Sequence, residues 1–297
     1  MMLSVKRKSN SDRWFDITNY TLLIGFTLMI IYPLYFIMIA SFSDPNRIYE
    51  GDVWLLPRDI TFEGYARIFR DSAIWIGYKN SILYAMLTAI IGTSLAIMAA
   101  YPLSRKDFYG RNIFMLFFVI TLFFNGGLIP TYLLVRQLHL MDTIWAVVLL
   151  AAVDAFVIII ARTFFQSLPE ELREAANIDG CTNMRYIWSF VLPLSKPIIA
   201  VLVLFAVVRQ WNGFFDALIY LDDSNKYPLQ LILRNILIQN QPTGSLVDDI
   251  QTALERQRIS ELIKYGVIII AALPLLILYP FLQRYFVQGV FIGSVKG

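Results

Sequence analysis

LPEELREAANIDGCTNMRYIWSFVLPLSKP, running from Leu168 to Pro197, is a charged stretch lodged between two long apolar runs. Its first third predicts a short helix over Pro169–Asp179. Proline opens it, Glu170 and Glu171 occupy the first turn where carboxylates complement the helix dipole, and Leu172, Arg173, Ala175 and Ala176 favour helix. Gly180 ends it by accepting a left-handed conformation. The pair Ala175–Ala176 gives the helix a low-profile face, and Glu174 beside it offers one anionic anchor for a partner in water. Tyr186, Ile187, Trp188 and Phe190 then form an apolar stretch suited to lie against membrane helices. Pro193 and Pro197 bend the chain into the next apolar run.

The rest of the chain is built for lipid. Of 297 residues, 58% are hydrophobic and only 16% charged, and mean hydropathy is +0.60. The apolar residues fall in continuous runs rather than alternating ones, which predicts helices rather than a membrane barrel. Stretches of about 20 apolar residues are long enough to cross a bilayer. They occur at Tyr20–Phe42, Ser81–Leu103, Ile113–Val135, Thr143–Phe165, Ile198–Tyr220 and Leu262–Leu282, so the expected fold class is an all-α polytopic membrane protein with six transmembrane helices. The first run exceeds the core of a signal peptide and is read as an uncleaved span. The expected organisation is a cytoplasmic N-terminus (1–19), a transmembrane domain (20–282) containing the loop 168–197, and a cytoplasmic tail (283–297).

Charge sets the orientation. Lys6, Arg7, Lys8 and Arg13 precede the first span, and Arg105, Lys106 and Arg111 face a single Asp107 in the short second loop. Basic residues of short loops stay inside, which places both termini, Ser104–Asn112 and the 168–197 loop in the cytoplasm, and Ser43–Asn80 and Leu221–Glu261 outside. The external segment Pro57–Tyr78 reads as partly helical and amphipathic, suited to the membrane interface. Tyr49, Trp54 and Arg58 before and within it are candidates to touch a delivery protein. A net charge of +3 spread along the chain gives no footprint for nucleic acid. One cysteine, Cys181, excludes an intrachain disulfide and any Cys-pair metal site. No catalytic constellation and no GxxxxGK[ST] phosphate loop occurs.

Ionisable groups inside spans mark pathways or pairs. In the fifth run Arg209, Asn212 and Asp216 stand at i, i+3 and i+7 and share one stripe if the helix is continuous. That stripe either lines a polar path or holds an Arg209–Asp216 pair. Trp211 points elsewhere, as a sugar-stacking platform or as packing. Asp154, within AAVDAFV, needs a partner: Arg209, a group on another subunit, or substrate. Asn125 opens the sequence Asn125-Gly126-Gly127, which with Pro130 predicts a kink in the third run.

Glu174-Ala175-Ala176, Asp179-Gly180, Leu192-Pro193 and Pro197 together resemble the EAA loop of ATP-binding-cassette importer permeases. The Gly293–Gly297 end resembles the tail of the maltose-type sugar permeases. Asn125–Tyr132 and Trp211-Asn212 resemble the branch that imports oligosaccharides such as aldouronates or alginate fragments. Cys181, Ile187 and Phe190 depart from the usual Ala, Phe and Ile, with similar size.

The resemblance implies a type I importer permease in a bacterial cell (inner) membrane. Its coupling residues would be Glu174, Ala175, Ala176, Asp179 and Gly180, and its substrate path would draw on Asn125, Asp154, Arg209, Trp211, Asn212 and Asp216. It implies a second homologous permease, two ATPase subunits that bind the ATP and Mg, an extracellular or periplasmic solute-binding protein and an oligosaccharide cargo, and no cofactor in this chain. An ion-gradient-driven secondary transporter or a non-transporting membrane scaffold are the alternatives. The first would work alone and favours paired repeats with matched broken helices. The second has no need of charges inside its spans.

Overall fold

A computed structural model of the protein describes residues 10–239, 258 and 263–280, and every described regular element is helical. The C-terminal tail and the basic residues Lys6, Arg7 and Lys8 lie outside the described residues. The chain divides into two compact units. One comprises the segments up to Arg70 with Leu237–Ile270, and the other comprises Asp71–Ile236 with the segment from Ala271.

Three helices are long and apolar enough to cross a membrane unbroken. They are α1 (Asn10–Ala40), α4 (Ser72–Ser104) and the last described helix, Ile263–Pro280. Between the first two lie α2 (Pro45–Tyr49) and α3 (Glu63–Arg70). Three further crossings are bent pairs, giving six in all if each pair is one span. The kink expected in run three and the bend expected at Pro193 and Pro197 before run five are present, run four is broken where none was expected, and each interruption has a local cause.

In run three, α5 (Arg111–Phe123) and α6 (Leu128–Gln137) meet at 113°. Gly127 takes φ 84°, a conformation a side chain would resist, and the Asn125 carboxamide accepts its N–H at 2.9 Å. In run four, α7 (Ile144–Ala152) and α8 (Ala155–Phe165) meet at 43°. Asp154 sits extended at the break and caps α8, its Oδ1 accepting from Phe156 N at 2.8 Å and Val157 N at 3.4 Å. The aspartate competes with its own helix for backbone donors, which apolar periodicity does not reveal.

After α9 (Glu170–Ile178) come α10 (Asn183–Tyr186), a π-turn over Ile187–Val191 and the short α11 (Leu192–Leu194). The segment Asn183–Leu194 meets α12 (Lys196–Asn212) at 81°. Pro197 has no N–H for the Pro193 carbonyl four residues back, so the helix turns at Ser195. Helix α12 ends at Gly213, and α13 (Phe215–Tyr220) and α14 (Leu229–Gln239) follow.

Within the second unit α4 is the central element, packed against α12, α8 and α7. Small residues permit this. A Cβ on Gly92 would stand 2.7 Å from the Ala152 carbonyl oxygen, so only glycine lets α4 approach the end of α7 this closely. One core cluster gathers Ala100, Tyr101, Ala161, Phe165, Ala176, Tyr186 and Leu202. Another, toward the opposite end of α4, gathers Tyr84, Val147, Val148, Ala217, Leu221 and Leu231.

Candidate functional site

The helix foreseen at Pro169–Asp179 is α9, with Pro169 as N-cap and Asp179 as C-cap. Its end is closed twice. Gly180, at φ 72°, donates its N–H to Asn177 O at 3.0 Å, and Cys181 donates to Ala176 O at 2.9 Å. This pair of bonds is a Schellman closure, and it requires the left-handed residue that glycine supplies. The closure fixes where Asp179 and Gly180 are presented.

The two alanines do not share a face. Ala176 is buried at 5% exposure among Tyr101, Phe165 and Tyr186, whereas Ala175 is exposed together with Glu174, Asp179 and Gly180. Successive helical residues are about 100° apart, and the core takes one of them. Ile178, not singled out from the sequence, is 86% exposed on this helix. The apolar stretch after it divides likewise: Tyr186 is buried, while Trp188 is exposed.

Behind the helix is a charge lattice in which Arg105 and Lys106, read from the sequence only as orientation signals, join Arg173 of α9. Arg173 bonds Asp107 at 2.8 Å, and Arg105 bonds the same carboxylate at 2.5 Å. Lys106 bonds Glu170 at 2.5 Å, and Arg105 also reaches Asn183 Oδ1 at 2.9 Å. Hydrogen bonds from Arg105 and then Arg173 hold the Asp107 carboxyl well below the usual carboxylate range. The Lys106 ammonium likewise lowers Glu170. Exposed pairs are individually weak, but a network that shares its members fixes geometry better than isolated pairs do. The loop 104–110 and α9 are thus fastened together over a cavity of about 310 Å³ lined by Tyr101, Arg105, Glu170, Arg173 and Tyr186, among others.

The intramembrane polar residues are distributed as follows. Arg209 pairs with Asp154 at 2.7 Å and not with Asp216. Asp154 therefore has two duties, partner of a cation and cap of α8. The Arg209 side chain stays 43% exposed. Beside the pair is a small cavity of about 20 Å³ bounded by Gly92, Thr93, Asp154 and Arg209, room for roughly one water. The stripe expected along one helix is interrupted at Gly213, so Arg209 and Asn212 belong to α12 and the half-buried Asp216 to the first turn of α13. Asn212 is exposed, its amide donating to Val208 O at 2.8 Å. Asn125 is exposed at the α5–α6 bend. Trp211 is 4% exposed, its indole N–H donating to Ala271 O at 3.0 Å and its ring lying against Tyr78. That arrangement is packing within the bundle.

The far end of the same unit is closed by a latch that the sequence did not announce. Asp142, at φ 52°, accepts from Asp222 N at 3.1 Å and Asp223 N at 3.0 Å through Oδ1, and from Lys226 at 2.7 Å through Oδ2. Asn80 donates to the carbonyls of Asn225 and Tyr227, and Tyr84 to that of Lys226. The Lys226 hydrogen bond, followed by the Asp223 N–H, holds Asp142 down to about 2, and Asp142 raises Lys226.

The sign of the pH response follows. The depressed carboxylate contributes fully above its unfolded value of about 4 and loses its contribution as pH falls toward 2, while the raised ammonium contributes fully below about 10.4. The stability difference between the native chain and Asp142→Asn is therefore expected to be flat from about pH 5 to 9 and to shrink below about pH 4. Thermal unfolding of both across that range checks this, and a slope near neutrality would contradict it.

The sequence profile of the family described as binding-protein-dependent transport system inner membrane component matches residues 73–292. Protein LplC of Bacillus subtilis (strain 168) is 38% identical over 97% of each chain. The polygalacturonan/rhamnogalacturonan transport system permease protein YtcP of the same organism is 37% identical, covering 96% of this chain and 99% of its own. Among solved structures, a chain of a bacterial ABC transporter involved in the import of the acidic polysaccharide alginate superposes with TM-score 0.84. It is 33% identical and is matched over 95% of this chain and 100% of its own. A multi-pass helical chain whose match extends from α4 through the segment 168–197 and beyond belongs to the family of inner membrane components of binding-protein-dependent transport systems.

Proposed function

We propose that this chain is the membrane-spanning permease of an ATP-binding-cassette importer for carbohydrate, carrying an oligosaccharide of acidic character. The observation that carries the reading is a pair of relatives above 30% identity. The polygalacturonan/rhamnogalacturonan permease and the chain of a transporter for the acidic polysaccharide alginate both match over nearly the full length at more than 30% identity. The half-exposed Arg209 on α12, paired with Asp154 at the break of run four, supports it as a cation that a uronate carboxylate could approach.

In this reading α9 is the coupling helix. Glu174, Ala175, Asp179 and Gly180 meet an ATPase subunit, and Ala176 seats the helix on the bundle. Both termini and the 168–197 loop are cytoplasmic, with 1–19 and 283–297 flanking a transmembrane domain over 20–282. A second homologous permease completes the pathway, two ATPase subunits bind ATP and Mg, and an external solute-binding protein delivers cargo. With no phosphate loop of its own, the chain receives its energy from those partners. Closure of the ATPases draws the coupling helices together and switches the paired bundles between inward-facing and outward-facing states around Asn125, Asp154, Arg209, Asn212 and Asp216.

The test is the reconstituted complex in vesicles with its binding protein. Uronate-containing oligosaccharides are expected to stimulate ATP hydrolysis and to accumulate inside, and neutral oligosaccharides of equal length to do so more weakly. Stimulation by non-sugar solutes alone would overturn the carbohydrate assignment. Equal stimulation by neutral and acidic oligosaccharides would overturn only the acidic preference.

A further inference from the structure

The segment after α2 has a feature that transport does not call for. Residues 53–57, Val-Trp-Leu-Leu-Pro, carry no charge and no polar side chain apart from the Trp54 indole N–H. Val53 is buried at 4%, but Trp54, Leu55 and Leu56 are 67%, 67% and 68% exposed. Three adjacent large apolar side chains facing outward from a loop need an apolar partner.

The loop's height is fixed by α1. The hydroxyl of Tyr32 donates to Trp54 O at 3.5 Å, and that of Tyr35 donates to Leu55 O. At 1.5 Å per residue these tyrosines lie roughly 12 and 7 Å below the Ala40 end of α1, and helical side chains lean further toward the N-terminus. Counting about 30 Å of hydrocarbon from Tyr20, where the apolar run begins, ends near Ala40. The loop therefore turns back and descends beside the span, to a depth where α1 itself presents exposed Met29, Ile30 and Ile31.

The hydrogen bonding fits that depth. Carbonyls in a lipid environment must be satisfied by the protein, and α1 supplies hydroxyls to two consecutive ones. The indole N–H of Trp54 is also satisfied internally, by Gly51 O. In water none of these three bonds is required. Charged groups flank the segment: Asp52 pairs with Arg47, which also bonds Asp59. An apolar tip with a charged base and an aromatic residue is the composition of an interfacial anchor.

We propose that Trp54, Leu55 and Leu56 form a lipid anchor inserted into the leaflet at the Ala40 end of α1, pinned to the span by Tyr32 and Tyr35. The occupant is bilayer lipid, because the patch continues the apolar outer surface of α1 at the same depth. The inference does not rest on which solute is carried. It gives Trp54 a role other than contact with a delivery protein, the one its sequence context suggests.

The single cysteine makes the test direct. In a Cys181→Ser background, nitroxides are placed by Leu55→Cys, with Leu28→Cys as a lipid reference and Asp52→Cys as a water reference. The full-length protein is reconstituted in phosphatidylglycerol–phosphatidylethanolamine vesicles with and without its partner subunits. At position 55, collisions with oxygen are expected to exceed those with a nickel chelate, as at 28 and opposite to 52. Adding Tyr35→Phe is expected to shift position 55 toward the water pattern. A water pattern at 55 in the unaltered loop, or a label shielded from both reagents by a protein neighbour, would overturn the proposal. Leu56→Cys repeats the measurement should the label at 55 disturb the fold.

Discussion

Replacing Glu174 with arginine is expected to abolish coupled uptake while leaving the membrane bundle folded. Glu174 is exposed on α9 and makes none of the ion pairs that fasten that helix to the loop 104–110. Reversing its charge therefore leaves the helix, its Schellman closure and the Ala176 seat in place. What changes is the surface offered to a partner. A carboxylate that meets a cation in a docked interface becomes a cation facing a cation, and loss of such a pair costs about 2–5 kcal/mol. That corresponds to roughly 30-fold or weaker association. Pull-down of the ATPase and transport assays should both fall, while the thermal unfolding of the isolated permease should not move. Arg173→Gln is the informative contrast. It acts from behind by breaking the Arg173–Asp107 bond that ties α9 to the loop 104–110, and is expected to lower coupling through misplacement of the helix, with a partial loss of docking. Unchanged pull-down and uptake in Glu174→Arg would sink the assignment of α9 as the coupling helix.

The second large effect is expected at Asp154. Asp154→Ala removes two things at once, the cap of α8 and the partner of Arg209. Loss of a cap costs about 1 kcal/mol, and a cation left without its hydrogen-bonded partner costs about 1–3 kcal/mol more. Asp154→Asn separates them. Asparagine is as good a cap as aspartate, so this variant should lose only the ion pair. Asp154→Asn combined with Arg209→Met should recover much of the loss, since replacing both members of a semi-buried pair is far less costly than orphaning one. Unfolding measurements on these variants check the ordering: native first, then the double variant, then Asp154→Asn, with Asp154→Ala least stable. If Ala and Asn were equally destabilising, the cap would carry no weight and the break in run four would need another cause.

These two sites also show what the sequence made legible. Helix α9 could be bounded to within a residue because proline, paired glutamates and glycine mark its ends chemically, without help from tertiary structure. Its orientation could not. Whether Ala175 or Ala176 turns outward depends on where Tyr101 and Phe165 stand, and they come from helices outside the loop. Six apolar runs were readable from length, and they make six crossings if each bent pair is one span, but the interruptions at Val153–Asp154 and Gly213 were not legible. A mid-run aspartate can lie on a continuous helix or cap a new one, and only the chain's path distinguishes the two. The Asp107 lattice and the Asp142 latch were missed for a simpler reason. Each joins loops separated by scores of residues, so local spacing carries no trace of it.

The unbroken length of α4 has a consequence of its own. Three of the crossings around it are hinged, yet it continues from Ser72 to Ser104, roughly 50 Å at 1.5 Å per residue. Near one end Tyr101 touches the seat of α9, and Arg105, just past the terminus, joins the lattice behind it. Toward the other, Asn80 and Tyr84 grip the backbone of the Asp142 latch loop. From Ser72 to Tyr101 the helix has no break at which it could fold, so a displacement at one end of that length reaches the other, and Pro102 places a weakened turn beside the α9 seat. The bent pairs around it have joints that α4 lacks over that length.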